Sequence, residues 1–146
     1  MKKVVNILLL ITWIAIIFIL SNQSGDASKE QSNIIVRVLS NIINIDKDTL
    51  TLIVRKLAHI FEYFVLYLLA YNCFKDYKKK YLIPVCIIFC ILCSVTDEFH
   101  QLFISGREGK ITDVFVDSIG ILIGFILIEV AYGKKEKTKK ISSTKA

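Results

Sequence analysis

Arg55, His59 and Glu62 lie at positions i, i+4 and i+7, with Tyr63 beside them, so one helical face carries a cation, an imidazole and a carboxylate. A second group follows in TDEFHQLFISGREGKITD, residues 96–113, where six charged side chains and a histidine share one short segment. Asp97 and Gln101 are spaced i, i+4 there, and Glu98 and Gln101 i, i+3. Asp113 and Asp117 begin a helical stripe that Gly120 and Gly124 continue. Groups of these types can move protons, with Glu62 or His59 as general base and Asp97 and Glu98 as acid partners or metal ligands. Arg107 would grip an anionic group. His59, Glu62, Asp97 and Glu98 are therefore the candidate catalytic residues, and Lys56, Tyr63, Gln101, Arg107, Asp113 and Asp117 join them as candidate ligand-binding residues.

The elements that must position these groups are apolar. Of 146 residues, 54% are hydrophobic, and they cluster in four blocks at about 4–20, 57–74, 81–95 and 114–132. Each approaches the 17–25 residues that a helix needs to cross a bilayer. Soluble core helices alternate apolar and polar faces, whereas these are apolar nearly all round. The fold expected is an all-α membrane protein with four transmembrane helices. The first block starts like a secretory signal, but its run exceeds the roughly 7–15 residues of a signal core and no small-x-small cleavage site follows. It is expected to stay as a helix.

Charge placement gives the expected sidedness. Lys2 and Lys3 precede the first block, Lys75, Lys78, Lys79 and Lys80 fill the second connection, and Lys134, Lys135, Lys137, Lys139, Lys140 and Lys145 form the tail. These are twelve of the nineteen basic residues, and four spans put them all on one face. The positive-inside rule makes that face cytoplasmic, so the net charge of +6 implies no nucleic-acid partner. The segment 21–56 and the stretch 96–113 then fall outside. Between the first two spans, Ile34, Ile35, Val38, Leu39, Ile42 and Ile43 recur at helical spacing, as in an extracytoplasmic amphipathic helix on the membrane surface. Asp46 or Asp48 is placed to cap the next helix. The chain reads as one membrane domain, 1–132, and a basic cytoplasmic tail, 133–146.

Ionisable groups inside membrane helices cost roughly 2.5–3.5 kcal/mol each on insertion scales and face a bundle interior or a water-filled cavity. Here they converge on one depth. His59 and Glu62 open the second span, Asp97 closes the third, and Asp113 and Asp117 open the fourth. Mutual neutralisation of Arg55, Lys56, His59 and Arg107 by Glu62, Asp97, Glu98, Asp113 and Asp117 is the plainer account. An outward-facing polar cavity is the account favoured for the whole layer.

Other signals carry less. Cys86, Cys90 and Cys93 match an iron–sulfur spacing, but within an apolar span cysteine acts as a small hydrophobe. His59 with Glu62, and Asp97 with His100, each place an imidazole and a carboxylate one turn apart, as helix-borne metal sites do. Their basic neighbours repel a cation, so no metal or other cofactor is expected. Neither a glycine-rich phosphate loop nor a serine-hydrolase elbow is present in the sequence.

Four ordered motifs resemble the VanZ-like family: RKLAHIFEYF at 55–64, TDEFHQLF at 96–103, GREGKITDV at 106–114, and Asp117 with Gly120 and Gly124. The LSNQ of residues 20–23 fits the same pattern. One departure is Asp117, where the family often carries Asn. The resemblance implies a small bacterial cell-envelope membrane protein, of a family whose founding member confers low-level resistance to the lipoglycopeptide teicoplanin. It carries family positions onto Lys56, His59, Glu62, Tyr63, Asp97, Glu98, Gln101, Phe103, Gly106, Arg107 and Asp113.

Two functions follow as expectations. One is a non-catalytic envelope protein whose polar layer binds a lipid-linked cell-wall component or a lipoglycopeptide, with membrane lipids as partners. The other is an intramembrane enzyme, acid/base or metal-assisted, acting on a lipid headgroup or lipid-linked wall precursor at the outer leaflet. Proton or solute transport would want acidic groups through the full membrane depth, and only Glu129 lies toward the inner end.

Overall fold

The computed structural model describes residues 1–42, 44–76 and 79–144, excluding the side chains of Lys29, Gln31, Lys79 and 132–144. Ile43, Lys78 and Lys145, together with the side chains of the other tail lysines, therefore lie outside the described residues. Five helices follow one another: α1 (Lys2–Ser21), α2 (Gly25–Ser40), α3 (Lys47–Phe74), α4 (Lys79–Gln101) and α5 (Ile111–Thr144). No strand occurs among the described residues.

Three helical stretches are long and apolar enough to cross a membrane: Lys2–Ser21, Lys80–Gln101 and Ile111–Ala131. The helical backbone of α5 continues past the last of these through the basic stretch to Thr144. The fourth expected span, 57–74, is the second part of α3, and α3 is the helix around which the other four pack. Its Tyr63, Leu66, Tyr67 and Ala70 have no exposed surface and form the core with Leu10, Ile17, Cys86, Cys90 and Ile121. All four cysteines are free.

Local chemistry sets the helix starts. Ser24 caps α2, its hydroxyl accepting from the Ala27 amide at 3.3 Å. Asp46, rather than Asp48, caps α3, accepting from the amides of Asp48 and Thr49 at 3.0 Å each. Bonds from Thr49 hold the Asp46 carboxyl below its usual range. α2 rests on α3 through Val36, against Leu50 and Val54. Leu39 packs partly against the same contact, while Ile34, Ile35, Val38 and, just past the helix, Ile42 stay exposed.

α1 and α3 run antiparallel, and two contacts fix their register. Asn6 near the start of α1 donates to the Asn72 carbonyl near the end of α3 at 3.0 Å. Trp13 Nε1 donates to the Glu62 carbonyl at 3.0 Å. Interhelical hydrogen bonds of this kind hold bundles together where lipid gives no hydrophobic drive.

α3 and α5 approach each other backbone to backbone. A Cβ on Gly120 would lie 2.2 Å from the Ile60 carbonyl oxygen and 2.9 Å from the Phe64 nitrogen, both immovable backbone atoms. At Gly124 the nearest atoms are Tyr67 side-chain carbons at 2.9 and 3.1 Å. Replacing helical glycine with alanine gains about 1 kcal/mol of helix propensity, and overpacking costs about 1–3 kcal/mol. Gly120→Ala is therefore expected to lower the melting temperature of the detergent-solubilised protein clearly. Gly124→Ala should be milder because a ring can shift. Thermal unfolding followed by circular dichroism checks the order, and equal effects would contradict the backbone contact at Gly120.

Candidate functional site

The polar groups meet at one end of the bundle. The C-terminus of α1, the first half of α3, the end of α4, the α4–α5 loop and the start of α5 all contribute, and α2 covers one side. A cavity of about 190 Å³ lies there, with Arg55, His59, Glu62, Asp97, Gln101 and Arg107 among its lining residues. Ser28, Ser32 and Ile35 bring α2 into its wall.

Behind the cavity sits Asp117, with no exposed surface. Its Oδ2 accepts from the Ser94 hydroxyl at 2.6 Å, and its Oδ1 lies 3.1 Å from His59 Nδ1. The serine bonds the carboxylate and not the imidazole, so this is a device that orients a histidine and not a nucleophilic triad. With Nδ1 donating to Asp117, a neutral His59 ring keeps its lone pair on Nε2. Ser94 escaped the sequence reading. Its signal was there, one turn before Asp97 on the same helix face and a lone hydroxyl within an apolar run.

Asp97 and Glu98 are also buried. Gln101 Nε2 donates to Asp97 Oδ2 at 3.0 Å, as the i, i+4 spacing predicts. Glu98 Oε2 accepts the backbone amide of Lys110 at 2.9 Å, whereas Oε1 is buried without a partner among the described residues. Gly109 permits that capture. A Cβ there would lie 2.1 Å from the Glu98 carbonyl oxygen, so only glycine lets the loop close onto the last turns of α4.

Ion pairing is sparse. Lys56 Nζ and Asp113 Oδ1 pair at 3.1 Å on the outer surface, and His59 faces Asp117. Among the described residues no lysine or arginine pairs with Glu62, Asp97, Glu98 or Asp117 within 4.0 Å, and Arg55 has no ion pair. General mutual neutralisation does not occur. Arg107 folds back over the layer, but its Nε and Nη2 donate to the carbonyls of Gln23 and Leu20 at 3.0 Å each. Burial, with Arg55 as a like charge nearby, lowers its pKa.

The other expected residues separate. Tyr63 is fully buried and lines an apolar crevice of about 320 Å³ rather than the polar cavity. Its hydroxyl has no partner among the described residues. His100 points elsewhere, stacked on Phe18 with ring centroids 4.5 Å apart and 3.2 Å from Asn22 Oδ1. Phe103 is exposed. The two imidazole–carboxylate pairs read from spacing therefore do not form the convergent group. His59, Asp97 and Glu98 do, each with a potential ligand atom within 4.8 Å of the others.

A family model described as VanZ/LLP1 matches residues 6–132, which takes in every residue of this site. No curated protein and no solved structure matches the chain.

The Arg107 clamp has a direct test. A hydrogen bond to a charged group contributes about 1.5–3 kcal/mol, and a single ammonium cannot reproduce a fork on two carbonyls. Arg107→Ala and Arg107→Lys are both expected to lower the melting temperature in detergent. Full recovery by lysine would show that charge alone matters there.

Proposed function

The chain belongs to the VanZ/LLP1 family, and from that premise we propose that it is a cell-envelope membrane protein that binds an amphiphile, with headgroup in the polar cavity and acyl chain in the apolar crevice. One observation carries this reading: the two spaces meet at Asp97, which lines both. The crevice walls are Ile14, Ile17, Leu66, Phe89 and Leu92 with the Tyr63 ring, from α1, α3 and α4. A pocket for a drug-sized molecule needs roughly 300–1,000 Å³. The cavity of about 190 Å³ suits a headgroup and is too small to enclose a glycopeptide core.

Arg55 lines the cavity without an ion pair among the described residues, and Arg107 keeps its Nη1 beyond the two carbonyl bonds. These are donors for a phosphate or other anionic group. Glu62 and Asp97, which also line the cavity, would repel a bare anion, so they suit hydroxyls or an amine on the same headgroup. A lipid-linked cell-wall component has this chemistry. Such binding would place the protein where teicoplanin-type resistance acts.

The topology in this proposal has four spans, with α3 as the fourth. Lys2, Lys3, Lys75 and Lys80 lie at the end of the bundle opposite the cavity, and the positive-inside rule makes their end cytoplasmic. The cavity then opens outside. The exposed Ile34, Ile35, Val38 and Ile42 of α2 suit the outer interface. Enzymatic action on the same headgroup is the second reading, favoured by the Glu62 carboxylate, which lines the cavity with no hydrogen-bond or ion-pair partner among the described residues.

Native mass spectrometry of the protein purified from bacterial membranes tests the binding. Wild type should retain a lipid with an anionic headgroup above its share of the bulk membrane, and Arg55→Gln should retain at least tenfold less. Retained lipid that merely mirrors bulk composition would end this proposal. In the same cells, Glu62→Gln separates the two readings. Retained lipid with an unchanged precursor profile, relative to wild type, supports binding, and a lost conversion supports the enzyme.

A further inference from the structure

We propose that His59, Asp97 and Glu98 bind one divalent cation, with an open coordination position facing the polar cavity beside Glu62. The basic residues near this group argue against a metal in the sequence, but none of the described ones pairs with its carboxylates. Lys56 is engaged by Asp113 at the surface. Arg107 turns Nε and Nη2 toward two backbone carbonyls, and among the described residues no lysine or arginine pairs with Asp97, Glu98 or Asp117 within 4.0 Å. What remains at the centre is negative: Asp97, Glu98 and Asp117 are 6, 5 and 0% exposed, with one imidazole among them. Buried carboxylates are paired, protonated or bound to a metal.

Three independent features point to a cation. First, potential ligand atoms of His59, Asp97 and Glu98 all lie within 4.8 Å of one another. A tetrahedral ion with ligands at 2.0–2.2 Å would hold them roughly 3.4 Å apart, so binding draws the three side chains closer together. Second, Glu98 Oε1 is buried and has no partner among the described residues, on a side chain whose other oxygen is anchored by the Lys110 amide.

Third, each ligand is already held from behind. Asp117 takes His59 Nδ1 and leaves Nε2 for a metal, Gln101 anchors Asp97, and Ser94 anchors Asp117. Carboxylate–histidine support of this kind orients metal-bound imidazoles, and losing it weakens metal affinity about 10–100-fold. One imidazole and two carboxylates suit Zn²⁺ or Mn²⁺. Three protein ligands leave room for water or a headgroup oxygen. His59 and Asp97 line the cavity, so that position opens toward Glu62. There the Glu62 carboxylate could take a proton from metal-bound water.

The inference does not depend on the headgroup reading, because the metal is measured on the purified full chain without added lipid. Protein stripped with chelator in detergent is titrated with Zn²⁺ and separately with Mn²⁺. Calorimetry gives affinity, and elemental analysis after dialysis gives content. Wild type is expected to bind one equivalent of at least one ion and to melt higher with it. His59→Ala and Glu98→Gln should each weaken binding at least a hundredfold, and Asp117→Asn about 10–100-fold. Asp48→Asn, at the exposed start of α3, should leave it unchanged.

Melting in chelator guards against misfolded variants. Without metal, Glu98→Gln relieves like-charge repulsion and should melt no lower than stripped wild type, while losing the metal-dependent gain. Substoichiometric binding of both ions, or affinity that survives His59→Ala and Glu98→Gln, would overturn the assignment and mark an adventitious ion only.

Discussion

The carboxylate of Asp117, sealed from solvent where α3, α4 and α5 meet, is the constraint on which the polar end of this bundle is built. Leaving such an ion unpaired in a protein interior costs several kcal/mol, so its two donors cannot be optional. Ser94 supplies one from α4 and His59 the other from α3. The reach to His59 requires α5 to lie against α3, and Gly120, one turn further along α5, is where the backbones touch. A missing side chain at Gly120 and a buried carboxylate at Asp117 are therefore parts of one device. The device fixes His59 Nδ1 toward Asp117.

Around that centre the cations are kept apart from the anions they would neutralise. Arg107 joins the α4–α5 loop to the end of α1 through backbone carbonyls, which closes the cavity mechanically without discharging it. Lys56 and Asp113 cancel each other on the outside. Trp13 ties α1 to the Glu62 carbonyl, fixing the α3 turn whose side chain enters the cavity. Charge thus stays unspent at Arg55, Glu62, Asp97 and Glu98, where a purely structural layer would have spent it.

Helical spacing made much of this legible. The apolar blocks, the Asp46 cap, the Asp97–Gln101 pair and the convergence of distant groups on one end all follow from periodicity and burial cost. Spacing along one helix fails where the partner lies on another. It joined His59 to Glu62 and Asp97 to His100, whereas the fold joins His59 to Asp97 and Glu98 and turns His100 toward Phe18. Arg107 is expected from the sequence to grip an anionic group, because a sequence displays charges and hides the carbonyls left over at a helix end. Ser94 and Trp13 were hidden for a related reason: a small hydroxyl or an indole within an apolar run reads as filler until the facing helix is known.

The same reasoning bears on why the span-length apolar stretches lie in α1, α4 and α5 and not in α3. A membrane demands hydrocarbon only from surface that touches lipid, and α3 has the other four helices packed around it. Leu57 and Phe61 are exposed on its remaining side, while Arg55, His59 and Glu62 look into the cavity. Polarity is affordable on this helix because protein, and not lipid, covers it. α3, which is not among the span-length apolar stretches, carries the chemistry, and the helices that hold those stretches pack around it.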